Sequence, residues 1–128
     1  GWQASHDLQV KRGLGLDPGE TDEQRRDAHR LLKRLLHECA LGHDGEPSYL
    51  DAVRFLARTH SRFMVVSIDD VLGILDQPNV PGTTVEHPNW RRRLPVMLED
   101  LSRHPGLRAV AATLREERRS DAVRPQPP

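Results

Sequence analysis

The feature that most constrains the fold is one short apolar run, residues 63–67 (Phe-Met-Val-Val-Ser), in a chain whose other patterns are helical. A continuous apolar run of this length is typical of a strand buried on both faces of a parallel sheet. A single strand cannot form a sheet, and a strand buried on both faces needs neighbours. Either the domain is helical and has no strand at 63–67, or the other strands of an α/β sheet lie outside this chain. We favour the second interpretation.

The strongest helical pattern follows Thr21, which with Gln24 matches a capping box. Apolar residues then recur at i, i+3, i+4 and i+7, and Gly42 is the predicted stop. The pattern predicts a helix with one buried and one solvated face. The predicted buried face comprises Ala28, Leu31, Leu32, Leu35, Leu36 and Cys39, and the predicted solvated face comprises Arg25, Arg26, Asp27, Arg30, Lys33 and Arg34.

Further helices are predicted from caps and prolines. A short helix over residues 5–12 has Ser5 as its N-cap, and another helix begins after Ser48. Pro95 and Pro105 suit the first turns of two more helices. Their predicted apolar faces are Leu94, Met97, Leu98 and Leu101 for the first, and Leu107, Val110, Ala111 and Leu114 for the second.

The composition excludes several classes of protein. The 128 residues carry 19 basic and 19 acidic side chains, so no net charge draws the chain to nucleic acid or to an acidic membrane surface. No apolar run approaches the roughly 18 residues that a membrane span needs. Cys39 is the single cysteine, which favours a reducing compartment and a cytoplasmic location. The seven histidines show no ligand spacing, and no phosphate-binding loop occurs, so we expect neither a metal nor a cofactor.

A long irregular segment follows the apolar run, and its motifs are specific. Residues 79–83 read Asn-Val-Pro-Gly-Thr, and residues 89–94 read Asn-Trp-Arg-Arg-Arg-Leu. With residues 65–73 (Val-Val-Ser-Ile-Asp-Asp-Val-Leu-Gly), they resemble the C-terminal part of the 4-alpha-glucanotransferases, also called amylomaltases or disproportionating enzymes. The order and the spacing of the motifs match. The similarity is strongest over residues 60–95 and reaches upstream to Gly1-Trp2.

The resemblance implies an α/β fold, the C-terminal part of a (β/α)8 TIM barrel, because a whole barrel takes about 250 residues. Residues 1–120 would be the C-terminal segment of the catalytic barrel, with 63–67 as its eighth strand. Residues 121–128, which contain three prolines, are predicted to be a disordered tail. The oligomeric state stays open.

The resemblance also implies an activity, the transfer of α-1,4-glucan segments to glucose or to another glucan with retention of configuration. Such chemistry uses a carboxylate nucleophile and a carboxylic acid. In the family, these carboxylates lie upstream of the part that this chain resembles, so the chain alone is expected to be inactive. Its partners would be α-1,4-glucans and maltooligosaccharides.

The resemblance makes the loop after residue 67 the candidate substrate site, on the C-terminal face of the barrel. Asn79, Pro81 and Gly82 are the candidate substrate-binding residues, and Asn89, Trp90 and Arg91 are candidates for supporting the loop. Asn79 is equally suited to shaping a turn before Pro81, and Trp90 to packing at the start of a helix. Residues 91–93 could bind an anion, although salt bridges to acids of the barrel that lie outside this chain are the simpler expectation.

Two neighbouring pairs that contain carboxylates need a separate assessment. His6-Asp7 is not followed by the Pro-Thr of the family's catalytic His-Asp motif, and Asp69 and Asp70 are neighbours in a turn, where side chains point apart. Both pairs are therefore predicted to be structural. Two other functions remain open, a helical interaction module that docks through residues 91–93 and a module that binds glucans without turnover.

Overall fold

The computed structural model describes residues 1–41 and 46–122, with side chains up to residue 118. These residues form helices and irregular segments and contain no strand. The helices are α1 (His6–Gly13), α2 (Asp22–Glu38), α3 (Tyr49–Ala57), α4 (Ile68–Val71), α5 (Leu98–Leu101) and α6 (Pro105–Ala122). None of the helices in this part of the chain is long and apolar enough to cross a membrane.

Side-chain caps define where α2 and α3 begin. The Gln24 backbone N–H donates to Thr21 Oγ1 at 3.1 Å, and the Thr21 N–H donates to the Gln24 side chain at 2.8 Å. Ser48 and Asp51 form the same reciprocal pair at the start of α3. Both predicted helix starts are confirmed. The predicted cap of α1 is wrong, because the Ser5 side chain accepts no capping hydrogen bond and its φ is 52°.

The main core lies where α3, α4 and α6 meet. Val53, Val71 and Val110, one from each helix, are buried and in contact. Leu107 and Leu114 pack against them, which confirms part of the apolar face predicted for α6. Burying each valine contributes about 1.5–3 kcal/mol, so this cluster holds the C-terminal half together.

The predicted buried strand at 63–67 is wrong. Phe63 and Val65 are 89% and 90% exposed, whereas Met64 and Val66 pack against the valine core. The segment is thus covered on one face only, because no described residues pack over Phe63 and Val65 on the other face. Such one-sided burial gives alternating exposure along an extended segment. An apolar run by itself does not show how many of its faces are covered.

The helix predicted after Pro95 is also largely absent. Only the four-residue turn α5 forms there, and Met97 and Leu98, which were predicted to lie on its buried face, are exposed. A helix this short is marginal without packing, and the described residues offer its apolar side no cover.

Two predicted boundaries fall partly outside the described residues. Gly42, the predicted stop of α2, lies outside them, although α2 already ends at Glu38. The helix α6 reaches Ala122 and so includes the first two residues of the predicted tail. Residues 123–128 lie outside the described part, and disorder there stays a prediction.

Candidate functional site

The loop that carries the sequence motifs, residues 77–93, is organised around Asn89. The Val80 N–H donates to Asn89 Oδ1 at 2.8 Å, and Asn89 Nδ2 donates to Thr83 Oγ1 at 2.8 Å. Thr83 Oγ1 in turn donates to the Val80 carbonyl at 2.7 Å, and the Val80 side chain is fully buried. We call residues 77–93 the Asn79 loop. Its shape is fixed by a half-buried amide, since the Asn89 side chain bonds to Val80 and Thr83, nine and six residues earlier in the chain.

Pro81 and Gly82 form the tip of the loop. The Thr83 N–H donates to the Val80 carbonyl at 3.3 Å, and Gly82 has a φ of 90°. A proline followed by a residue with positive φ is the signature of a type II turn, in which glycine is strongly favoured at the third position. Both residues are exposed. Their main effect is to set the path of the chain next to Asn79.

Asn79 itself is half-buried, and no hydrogen bond joins its side chain to any of the residues described. The amide group offers two donors and one acceptor oxygen, which suits a pair of neighbouring hydroxyl groups. The turn-forming hydrogen bond that its side chain was equally suited to make is therefore absent here. The side chain is free to contact a ligand.

Trp90 is exposed and held in an uncommon backbone conformation. Trp90 is 75% exposed, its φ is 60°, and its backbone N–H donates to the Pro78 carbonyl at 2.8 Å. Bulky residues rarely adopt positive φ, and such strain of about 1–3 kcal/mol persists only where the surrounding structure imposes it. Within the described residues, Trp90 does not bury its ring against the protein. The loop presents a large aromatic surface at a fixed position.

The arginine run divides into one paired and two exposed residues. Arg92 forms an ion pair with Asp69 at 2.9 Å, which ties the Asn79 loop to α4. Arg91 and Arg93 are exposed. The expectation that acids outside the chain compensate these cations is wrong for Arg92, because its partner Asp69 belongs to this chain.

The most complete polar cluster in the described part of the chain surrounds Arg25, and it was not predicted from the sequence. Arg25, predicted to be solvated, is only 3% exposed, and its five N–H groups each donate a hydrogen bond of 2.8–3.0 Å. The acceptors are both oxygens of Asp7, Glu20 Oε2 twice, and the Trp2 carbonyl. A signal was present, because Arg25 lies three and seven residues before Ala28 and Leu32, on the buried stripe of α2.

The Arg25 cluster also determines the chemistry of Asp7. The hydrogen bonds from Arg25 lower the pKa of Asp7 below its usual range, against the opposing effect of burial. A general acid needs the reverse, a pKa raised toward the working pH. His6 points elsewhere, with its Nε2 at 2.7 Å from Asp76 Oδ1. The geometry of His6 and Asp7 fits a structural pair.

The described residues contain no group of three His, Cys, Asp or Glu side chains that could hold a metal ion. Cys39 is a free thiol.

Comparison with known proteins assigns the family. The 4-alpha-glucanotransferase family matches residues 2–99, well over half of the chain. The chain belongs to this family, whose members are TIM-barrel enzymes. Its relatives include proteins named 4-alpha-glucanotransferase from Mycobacterium tuberculosis and Mycobacterium bovis, each 34% identical over 115 residues. These alignments cover 79% of the chain and 16% of the relatives, so the chain spans about a sixth of their length. No solved structure gives a significant match.

Proposed function

We propose that the chain is the glucan-binding rim of a 4-alpha-glucanotransferase, with the Asn79 loop as its contact surface. The observation that carries the proposal is the Asn79 side chain, which has no partner among the described residues and lies on a loop that Asn89 holds in place. An amide hydrogen-bonds sugar hydroxyls, and the exposed Trp90 offers an apolar face to a sugar ring. A few polar groups beside an aromatic surface are typical of small-ligand sites.

The full reaction would transfer α-1,4-glucan segments with retention, through a carboxylate nucleophile and a second carboxylic acid. We propose that these carboxylates come from sequence outside the 128 residues. In support, both oxygens of Asp7 accept bonds from Arg25, and Asp69 is paired with Arg92. The exposed apolar edge at Phe63 and Val65 supports packing against a larger enzyme. The chain alone would bind glucans without turnover.

The proposed partners are α-1,4-glucans and maltooligosaccharides, and the proposed compartment is the cytoplasm. The names of the relatives support the substrate class. The free thiol of Cys39 supports a reducing compartment.

Two experiments test the proposal. The purified chain is incubated with maltotriose, and the products are separated by chromatography; we expect neither glucose nor longer oligosaccharides. Residues 2–99 are then placed into the M. tuberculosis relative in exchange for the matching segment, and this chimera should disproportionate maltotriose. Turnover by the isolated chain would contradict the proposed location of the carboxylates.

The role of the loop is tested in the same chimera. Asn79→Ala removes hydrogen bonds worth about 1 kcal/mol each, so kcat/KM should fall roughly tenfold, mainly through KM. Gln9→Ala removes an exposed amide on α1 and should leave the kinetics unchanged. Equal kinetics for Asn79→Ala and Gln9→Ala in a folded chimera would exclude Asn79 as a substrate contact.

A further inference from the structure

A second cleft lies away from the tip of the Asn79 loop, between the N-terminal segment and α2. Its volume is about 330 Å³, and its walls include Trp2, Gln3, His29, Glu46 and Pro47. Ligand sites commonly span about 300–1,000 Å³, so the cleft has room for one small ring. We call it the Trp2 cleft.

One residue that lines the Trp2 cleft, His29, carries a polar atom without a partner. His29 Nε2 is buried and makes no hydrogen bond within the described residues. Buried polar atoms are nearly always satisfied, and leaving one unpaired costs about 1–3 kcal/mol. A ligand hydroxyl that donates to or accepts from this nitrogen would remove that penalty.

The aromatic wall of the cleft is held in place from two directions. The rings of Trp2 and His29 meet edge to face with centroids 4.4 Å apart, and the Arg25 guanidinium lies 5.2 Å from the centre of the Trp2 ring. Arg25 is itself fully hydrogen-bonded, so it cannot move without breaking the buried cluster. Trp2 remains 39% exposed, so part of its surface can contact a ligand.

The charges around the cleft favour a neutral ligand. All the N–H donors of Arg25 form hydrogen bonds with Asp7, Glu20 and Trp2. The carboxylate of Glu46 forms an ion pair with Lys33 at 3.3 Å. No free cation among the lining residues is left to attract a phosphate or a carboxylate. Gln3 Nε2 donates to the Pro47 carbonyl at 2.6 Å, which leaves the Gln3 amide oxygen as an acceptor for a hydroxyl group.

We propose that the Trp2 cleft binds one neutral hexose unit, with its apolar face on Trp2 and a hydroxyl group on His29 Nε2. The proposal rests on the proposed function and adds a second contact for the same glucan chain. A separate cleft of about 280 Å³ links Trp2 with Gln77 and Pro78, the residues directly before Asn79. Trp2 therefore lies between the Asn79 loop and His29, where a glucan of several units can reach both.

The two tryptophans of the chain allow a direct test, since one lies at each site. Trp90→Phe leaves Trp2 as the only indole, and this variant is titrated with glucose and with maltotriose while its fluorescence is recorded. We expect a saturable change for both sugars in the millimolar range. Adding Asn79→Ala should weaken maltotriose binding and leave the response to glucose unchanged.

The His29 contact is tested in the same background. His29→Phe keeps an aromatic partner for Trp2 but removes the nitrogen, and should raise the Kd for glucose about tenfold. His29→Gln restores a polar group and should recover part of the affinity. Circular dichroism and urea unfolding confirm that each variant folds. Should either variant fail to fold, Gln3→Ala, which lies at the exposed rim of the cleft, replaces it, with an expected rise in Kd of about threefold.

The outcomes separate the two proposals. In one outcome, Trp2 fluorescence responds to neither sugar, but calorimetry detects maltotriose binding that Asn79→Ala weakens. The Trp2 cleft is then not a sugar site, and the proposed glucan contact of the Asn79 loop is supported. If glucose changes Trp2 fluorescence and the Asn79→Ala variant binds maltotriose normally, the Trp2 cleft is a sugar site and Asn79 is not a substrate contact. A response that His29→Phe and Gln3→Ala both leave unchanged would also overturn the inference.

Discussion

Replacing Arg25 with methionine should strongly destabilise the N-terminal half of the fold. Methionine matches the length of the arginine stem but removes all five donors. It leaves both oxygens of Asp7, Glu20 Oε2 and the Trp2 carbonyl without their partner. The consequence is two uncompensated carboxylates beside α2.

The magnitude follows from the burial of each partner. Breaking a fully buried ion pair by removing one member costs about 3–5 kcal/mol. The side chains of Asp7 and Glu20 are 17% and 28% exposed, so water can partly solvate them after the change. We therefore expect a loss near the lower end, about 3 kcal/mol, a large fraction of the 5–15 kcal/mol typical of a domain. Arg25→Lys keeps the charge but not the bidentate geometry and should cost about half as much.

Urea unfolding followed by circular dichroism measures the free energy of unfolding of each variant. Arg26→Met is the matched control, because Arg26 is the next residue in α2 and is exposed. Surface substitutions of this kind usually stay within about 0.5 kcal/mol of the parent. Equal stability of Arg25→Met and Arg26→Met would show that the buried cluster contributes nothing, contrary to our reasoning.

Three further predictions concern pH, the Asn79 loop and its turn. Because the pKa of Asp7 is lowered in the folded state, its contribution to stability is present above its unfolded pKa of about 3.9 and is lost as pH falls through the lower folded value. The urea midpoint of the parent chain should therefore fall with pH below about pH 4, and Asp7→Asn should reduce this pH dependence. An acid slope that Asp7→Asn leaves intact would contradict this. Asn89→Ala leaves the Val80 N–H without an acceptor and should lower the free energy of unfolding by about 2–3 kcal/mol, with faster hydrogen exchange at the Val80 amide. Unchanged exchange at this amide would argue against the contact. In Gly82→Ala the new methyl group meets only ordinary contacts, but the φ of 90° is strained for alanine, so the change should destabilise the chain by about 1–2 kcal/mol. Gly13→Ala in α1 should instead stabilise it by about 0.5 kcal/mol. Changes of the same sign in the melting temperatures of both variants would refute the role of φ.

The parts of the fold that the sequence predicted well depend on near neighbours. Thr21 and Gln24, or Ser48 and Asp51, interact across three residues, so the capping pattern is visible in the sequence. The apolar face of α6 follows from helical spacing alone. The family was likewise predicted from short motifs whose order and spacing are preserved.

The incorrect predictions depend on contacts that are distant in sequence. The five donors of Arg25 find acceptors 5, 18 and 23 residues away, which no local pattern shows. The exposure of segment 63–67 likewise depends on what lies beside it. Asn89 was proposed from the sequence as a support of the loop, and its hydrogen bonds to Val80 and Thr83 are visible only in the structure.

We propose that the Asn79 loop contacts α-1,4-glucan through the amide of Asn79. Calorimetric titration of the chain and of its Asn79→Ala variant with maltotriose tests this contact. We expect a saturable heat of binding for the parent chain and an affinity about tenfold weaker for the variant, a loss of about 1.4 kcal/mol. No heat of binding, or equal affinities for the two folded proteins, would contradict it.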